Sequence, residues 1–408
     1  MPDPITLFIS AGEASGEQYG ALLTAVLQRR LAEAGVAARF MGMGGSRMEA
    51  AGLERVVRAE DVAVMGLTEV VRHLPRVYGE YRKLKRSIRS RRPAVAVLID
   101  SPEIHLRLAR EFHRLGIPVI YFVSPQLWAW KKHRIRLVKR FVERMMVIFP
   151  FEEGFYRERG VEADFVGHPL ADLPLPAARR EEFAAQNGLD PAKTWIGLLP
   201  GSRAREIGAH LPEMLKAARM LAEDGVPDQY EFVIPLAPTL NPEQRRAAAR
   251  QVDELARGLA VFLVDDARAA LRHARASLVA SGTATVEAAL IGNPFVVVYR
   301  VSAVTYAIAK RVVKVPHVAM PNLIAGRRVV PELIQNDFTA SNCVQSLRRL
   351  LPDGADRQSM MEELTAVGNA LRSHPASGRG GNAIERVAEI VLEQLRGSRL
   401  PRAAQFST

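Results

Sequence analysis

Short, nearly continuous apolar runs alternate with helical patterns along most of this chain, at 5–9, 39–41, 95–99, 119–123, 145–148 and 164–166. Helical spacing falls between them, over 20–31, 67–91, 103–115 and 130–142. Strands that are apolar on both faces and separated by helices indicate a parallel sheet covered on each side. The stretch Ala171-Asp172-Leu173-Pro174-Leu175-Pro176 then interrupts the pattern, as a linker does. The alternation restarts with strands expected at 195–199, 231–234, 261–264, 277–280 and 295–299, and helices at 206–222 and 243–257.

The fold class expected is α/β: two doubly wound Rossmann-like domains facing a central cleft, with a helical C-terminal tail. The expected boundaries are 1–170 for the first domain, 171–194 for a linker and leading helix, and 195–350 for the second domain. Residues 351–396 are expected to form helices that pack back on the first domain or on a partner, with Ala383, Val387, Ile390, Val391 and Leu395 at helical spacing. Residues 397–408 read as a frayed tail.

Composition narrows the class. Cys343 is the only cysteine, so no intramolecular disulfide forms, which fits a reducing cytoplasm. The opening Met1-Pro2-Asp3-Pro4 lacks the basic and apolar regions of a signal peptide, and no apolar run approaches the ~20 residues that span a bilayer. The net charge of +12 calls for an anionic partner: nucleic acid, an anionic membrane surface or a phosphorylated substrate. Aromatic content of 6% gives little on which to stack bases, and no nucleic-acid-binding module is recognisable.

Several loops carry chemistry. Ser281, Gly282, Thr283, Ala284, Thr285, Val286 and Glu287 follow the run 276–280 as a strand end leading into a helix. Gly and Thr at a helix start let backbone N–H groups approach an anion, and the helix dipole favours it. Glu287, about one turn on, suits ribose hydroxyls. Together these suggest a nucleoside diphosphate, although an ordinary capped helix carries the same residues. Leu199-Pro200-Gly201-Ser202-Arg203 repeats the arrangement, with Arg203 suited to phosphate oxygens and Ser202 to a cap. In the first domain, Ser10-Ala11-Gly12-Glu13-Ala14-Ser15-Gly16 resembles a dinucleotide fingerprint only loosely, because Gly12, Gly16 and Gly20 are spaced by four. Asp100 ends a strand, where a general base projects well, but with Glu103 it also makes a capping-box-like pattern. His168 at the domain boundary suits a hinge or a structural role as well as a catalytic one.

The motifs Ala11 to Gly16, Gly42-Met43-Gly44-Gly45, Met65-Gly66-Leu67-Thr68-Glu69, Ser124-Pro125-Gln126-Leu127-Trp128-Ala129-Trp130, Phe149-Pro150-Phe151-Glu152, Gly167-His168-Pro169, Leu199 to Arg203, Ser281 to Thr285 and Pro321-Asn322-Leu323-Ile324-Ala325-Gly326 together resemble the lipid-A-disaccharide synthase family. They run in the family's order over essentially the whole chain. The resemblance implies an inverting glycosyltransferase of the GT-B type, peripheral to the inner face of the inner membrane of a Gram-negative cell. Such enzymes move 2,3-diacylglucosamine from UDP-2,3-diacylglucosamine to the 6-hydroxyl of 2,3-diacylglucosamine 1-phosphate, leaving UDP. The UDP-sugar is a substrate, so no cofactor and no metal are expected.

By the same resemblance Asp100 is the base, Arg203 stabilises the departing UDP, and Glu13 joins them as a catalytic residue. Gly201, Ser202, Arg203, Ser281, Gly282, Thr283, Ala284, Thr285 and Glu287 are expected to hold UDP. Gly12, Ser15, Gly16, Gln126, Trp128 and Asn322 are expected on the acceptor side, with packing an open alternative for Trp128. Val64, Met65, Leu67, Val70, Val71 and Leu74 spread too broadly for one narrow stripe and suit acyl chains or a membrane. The continuing stripe of Tyr81, Leu84 and Ile88 reads better as a core face. Lys131-Lys132-His133-Arg134-Ile135-Arg136 suits lipid phosphates, the acceptor 1-phosphate or a solvated helix face.

Three other readings compete. A UDP-N-acetylglucosamine epimerase or a different lipid-linked sugar transferase shares the loops at 201–203 and 281–287, but not the Trp128-Ala129-Trp130 and Pro321 to Gly326 motifs together. A basic nucleic-acid-binding protein explains only the charge. A two-Rossmann oxidoreductase wants an acidic residue where Met41-Gly42-Met43-Gly44 stands. A homo-oligomer remains compatible with the helical tail.

Overall fold

A computed structural model describes residues 4–62, 70–224, 228–313, 315–372 and 381–398. The chain divides into two compact units, Met1–Asp172 with Leu371–Thr408, and Leu173–Ala370. In the first, seven parallel strands follow one another: β1 (Ile5–Ala11), β2 (Ala38–Gly44), β3 (Leu53–Arg58), β4 (Val95–Ile99), β5 (Val119–Phe122), β6 (Arg144–Val147) and β7 (Ala163–Phe165). Their spatial order is β3-β2-β1-β4-β5-β6-β7, so the winding reverses between β1 and β4. Phe8, Leu98 and Tyr121 are fully buried, as sheet residues covered on both faces must be, and Phe112 of the helix Pro102–Arg114 packs on Phe8. Leu84 and Ile88 of the helix Val70–Arg91 join that core, which makes this half of the stripe a core face.

The second unit repeats the plan with β8 (Thr194–Leu199), β9 (Tyr230–Pro235), β10 (Val261–Val264), β11 (Ala276–Ala280), β12 (Phe295–Tyr299) and β13 (Glu332–Ile334). Its order is β10-β9-β8-β11-β12-β13, again all parallel, with the reversal between β8 and β11. Trp195 is fully buried, its indole N–H donating to the Asp190 carbonyl at 2.9 Å.

Two strands escape a reading of apolar runs. β3 and β13 are edge strands, and their sequences Leu-Glu-Arg-Val-Val-Arg and Glu-Leu-Ile are too charged or too short to stand out. The first helix also starts earlier than its apolar spacing suggests, spanning Ala14–Glu33. Gly16 and Gly20 therefore lie inside a helix. A Cβ on Gly20 would stand 2.8 Å from the Met48 thioether, so this glycine allows close packing of the helix and makes no loop.

The expected tail block at 351–396 is divided. The helix Ala355–Leu371 lies in the second unit up to Ala370, and the helix Ala383–Ser398 lies in the first. Arg29 and Arg30 reach Glu385 at 2.6 and 3.2 Å, and the Ala383 N–H donates to Asp172 at 2.7 Å. Val387, Ala388 and Val391 are fully buried there. Val64, Met65 and Leu67 lie outside the described residues, as do 399–408, and only the helical backbone is described at Val70, Val71 and Leu74.

One contact fixes the sheet spacing beside the first reversal. A Cβ on Gly42 would sit 1.8 Å from the Ile9 carbonyl oxygen, a distance no side chain tolerates. Gly42→Ala is expected to cost about 3 kcal/mol or more, or to abolish soluble expression, by overpacking. Urea unfolding followed by tryptophan fluorescence measures the loss.

Candidate active site

At the first reversal, the loops leaving β1 and β4 meet at the C-terminal edge of the sheet, where doubly wound folds bind ligands. Asp100 and Ser101 both adopt left-handed backbone angles, φ 53° and 46°. Such strain in non-glycine residues persists only where the surroundings enforce it. Here the Asp100 carbonyl accepts hydrogen bonds from Tyr121 Oη and from His105 Nδ1, the latter at 2.7 Å. Burial holds the His105 ring near a pKa of about 4, hence neutral. With Nδ1 donating, Nε2 accepts the Ser10 hydroxyl at 2.8 Å and ties β1 to the β4 exit. Sequence reasoning missed both His105 and Tyr121.

The Asp100 carboxyl is pushed up to about 6, first by burial and then by the charge of Glu13, against a hydrogen bond from the Ser101 amide. Asp100 is not a helix cap. Ser101 holds the N-cap position of the helix Pro102–Arg114, and Glu103 turns away to Lys131 and Arg134. Gly12 lets the β1 loop close on this turn, since a Cβ there would lie 2.6 Å from Ser101 Oγ. Glu13 is the exposed residue preceding the first helix, Ser15 lies in that helix's first turn, and Gly16 is buried beside Ala11 and Ile99. The structure therefore groups Asp100, Glu13 and Gly12 and leaves Gly16 a packing residue.

One strand further along, the β5 exit loop carries Gln126 and Trp128. Gln126 is exposed, and its carbonyl accepts the N–H groups of Ala129 and Trp130. The Trp128 indole donates to Glu152 at 3.0 Å and stands edge-on to Phe151, 5.1 Å between centroids. His168 is buried beside Phe149 and Tyr19, its Nδ1 accepting the Leu170 N–H at 3.2 Å. Burial pushes its pKa down to about 3, which fits a structural residue.

In the second unit, the two expected anion loops differ in kind. A Cβ on Gly201 would lie 2.5 Å from Glu206 Oε2, and that oxygen accepts the Ser202 and Arg203 amides at 3.0 and 3.3 Å. An internal carboxylate thus occupies the amides of Ser202 and Arg203 expected to meet phosphate. The largely exposed Arg203 side chain, 3.5 Å from Glu206, is what this loop presents outward. Beneath it His210 donates from Nδ1 to the Pro200 carbonyl at 2.7 Å and accepts the Arg300 N–H at Nε2, 3.0 Å away. It bridges the β8 and β12 exits.

The Ser281 loop is open by comparison. Gly282 takes φ 146° as the N-cap of the helix Thr283–Ile291, where no side chain caps the amides. Helices starting at Pro242, Ala267, Ala303 and Ala340 each have an N-cap side-chain oxygen accepting a first-turn amide. Thr283 is exposed and Ala284 partly so, while the Thr285 hydroxyl turns back to the Gly282 carbonyl at 2.7 Å. The Ser281 hydroxyl reaches the Val318 carbonyl at 3.4 Å. Burial raises the Glu287 carboxyl, with Arg268 lowering it and Asp266 raising it further.

Asn322 belongs elsewhere than expected. It is fully buried, its amide donating to the Val330 carbonyl and Glu332 at 2.9 and 2.8 Å and accepting the Val329 and Val330 amides at 2.7 and 2.9 Å. Every polar atom of the side chain is spent holding the 326–332 loop. Among the described residues, no group of three or more His, Cys, Asp or Glu is placed to hold a metal ion, and no helix is long and apolar enough to cross a membrane.

Solved structures share this architecture. A UDP-GlcNAc 2-epimerase from Neisseria meningitidis, bound to UDP-GlcNAc, aligns over 96% of this chain and 100% of its own at TM-score 0.63 and 12% identity. The calicheamicin glycosyltransferase CalG4 aligns over 98% and 100% at TM-score 0.56 and 17% identity. Two parallel α/β units with a helical C-terminal segment define the GT-B class of glycosyltransferases and UDP-sugar epimerases. Within that class, the family model for lipid-A-disaccharide synthetase matches residues 7–377. The lipid-A-disaccharide synthase of Acidobacterium capsulatum is 59% identical over 97% of this chain and 98% of its own length. That of Koribacter versatilis is 49% identical over 95% and 98%. The chain belongs to the lipid-A-disaccharide synthase family, the glycosyltransferases of lipid A biosynthesis.

Because its side chain is a buried clamp, Asn322→Ala is expected to destabilise the protein by about 2–4 kcal/mol, leaving buried amides unpaired. Thermal unfolding checks this.

Proposed function

We propose that this chain transfers 2,3-diacylglucosamine from UDP-2,3-diacylglucosamine to the 6-hydroxyl of 2,3-diacylglucosamine 1-phosphate. The observation that carries the reading is Asp100: a strained residue at a strand-order reversal, with a carboxyl raised to about 6. Such a group is ionised at neutral pH yet basic enough to accept a hydroxyl proton as bonding begins. The acceptor oxygen attacks the donor's anomeric carbon as its proton passes to Asp100, and the bond to UDP breaks with inversion. Glu13 sits beside the base and raises its basicity through charge.

In the second unit, the open start of the helix Thr283–Ile291 suits the diphosphate, and Glu287 is placed one turn further on for the ribose. Arg203 supplies positive charge where the leaving diphosphate gains negative charge. The transfer so described uses that cation and the helix dipole for the phosphate charge and calls for no metal. Val64, Met65, Leu67, Val70, Val71 and Leu74 are assigned to acyl chains or a membrane interface, at the inner face of the inner membrane. The exposed Arg76, Arg82, Lys83 and Arg86 of the same helix suit an anionic surface.

UDP release in detergent, with and without the acceptor, tests the reading. Acceptor-dependent release with a new disaccharide phosphate is expected, unchanged by EDTA. UDP binding without acceptor-dependent turnover would move the assignment to another UDP-sugar enzyme. Asp100→Asn is expected to fold and to lose roughly 10²–10⁴-fold in kcat. Protonation disables the base, so the wild-type rate should climb with pH through about 6 and level off above it.

A further inference from the structure

Glu152 is a buried carboxylate, in the first turn of the helix Pro150–Arg157, and among the described residues no cation is bonded to it. One of its oxygens does what a third helical residue commonly does, accepting the Phe149 N–H at 3.2 Å. Capping does not explain the other. Oε1 reaches across to the β5 exit, accepting the Ser124 hydroxyl at 2.6 Å and the Trp128 indole N–H at 3.0 Å. The next residue on the helix to face that loop, Tyr156, donates to the Pro125 carbonyl at 3.0 Å. Two consecutive exits, after β5 and β6, are thus fastened to one another, with Glu152 holding two side chains of the loop and Tyr156 its backbone.

The fastened loop leaves its strand next to the proposed base. The Asp100 N–H donates to the Phe122 carbonyl at 3.0 Å, and Tyr121 holds the Asp100 carbonyl. Between them and Ser124, Val123 is itself in the left-handed region at φ 61°, its N–H bonded to the Met146 carbonyl at 3.1 Å. The backbone turns sharply there, and a turn of that kind needs an external hold.

We propose that Glu152 is a positioning residue for the acceptor: ionised, it locks Ser124 and Trp128 of the β5 exit loop in the arrangement that binds the acceptor sugar. The proposal rests on the assignment of that loop to the acceptor side. A buried carboxylate with three donors aimed at it is best satisfied when ionised, because a proton on either oxygen displaces one of them. Burial nonetheless raises its pKa to about 7, opposed by the bonds from Ser124, Trp128 and Phe149. The other titratable groups around it do not change charge near neutrality. Tyr156 on the same helix and Tyr121 on β5 are raised by burial, and His168, across Phe149, is pushed down to about 3. Asp100, beyond Tyr121, titrates at about 6 and is separated by the variants below.

Glu152→Gln keeps one carbonyl for Ser124 and Trp128 but turns an NH2 toward the Phe149 N–H. Its acceptor KM is expected to rise about tenfold, with a smaller change in kcat and unaltered UDP affinity. A hold that is merely structural would lower stability and affect both substrates alike. Tryptophan emission supplies a readout independent of turnover: wild type should show a transition near pH 7 that disappears in both Glu152→Gln and Trp128→Phe, with Asp100 intact. Should Glu152→Gln not fold, Ser124→Ala and Trp128→Phe each remove one donor and are expected to raise the acceptor KM in the same direction. A wild-type acceptor KM in the folded variants, or an emission transition that survives Glu152→Gln, overturns the proposal. Wild-type protein that turns over no acceptor overturns the synthase reading instead, and the emission titration then decides the coupling of Glu152 to Trp128 alone.

Discussion

The reversal of strand order beside β1, and again beside β8, is the constraint on which the rest depends. Parallel strands buried on both faces leave no place for polar chemistry inside the sheet, so it gathers where the loops leave the strands. At a reversal the two adjacent loops diverge to opposite faces of the sheet, and the groups between them stay open to a ligand. Asp100, Glu13 and Gly12 sit at one such point, and the Gly201 and Ser281 loops at the other. His105 and His210 are each a buried ring spanning two strand exits, those of β1 and β4 in the first unit and of β8 and β12 in the second.

A second regularity is electrostatic. Glutamates repeatedly occupy the amides that loops would otherwise offer to an anion: Glu17 takes the Arg47 amide, Glu206 those of Ser202 and Arg203, and Glu332 those of Val318 and Ala319. An internal carboxylate gives such a loop one defined shape and withdraws it from phosphate binding. The start of the helix Thr283–Ile291 has no such carboxylate on its amides.

Much of this was legible in the sequence. Interior strands announce themselves by apolar runs because both faces are buried. Edge strands β3 and β13 do not, since one side faces solvent and the pattern dilutes. The two loops expected to suit an anion look alike in sequence, and only the structure shows Glu206 on the amides of one of them. Asp100 presented two roles with identical spacing, and only the left-handed backbone at Asp100 and Ser101 removes the capping one. Asn322 shows the reverse difficulty: a motif residue next to a turn looks like a ligand contact until its four hydrogen bonds are seen to be internal. The Ser10–His105 bond joins positions 95 residues apart, and nothing local marks either partner.

The helix Ala383–Ser398 packs against Ala14–Glu33, so the chain crosses into the second unit and returns before the first is finished. On the ribosome the order of synthesis and the order of completion therefore part company. The second unit has all its strands while the first still lacks the helix that covers its opening one. The unit made first is the last to close, its apolar surface beside the first helix waiting on the end of the chain.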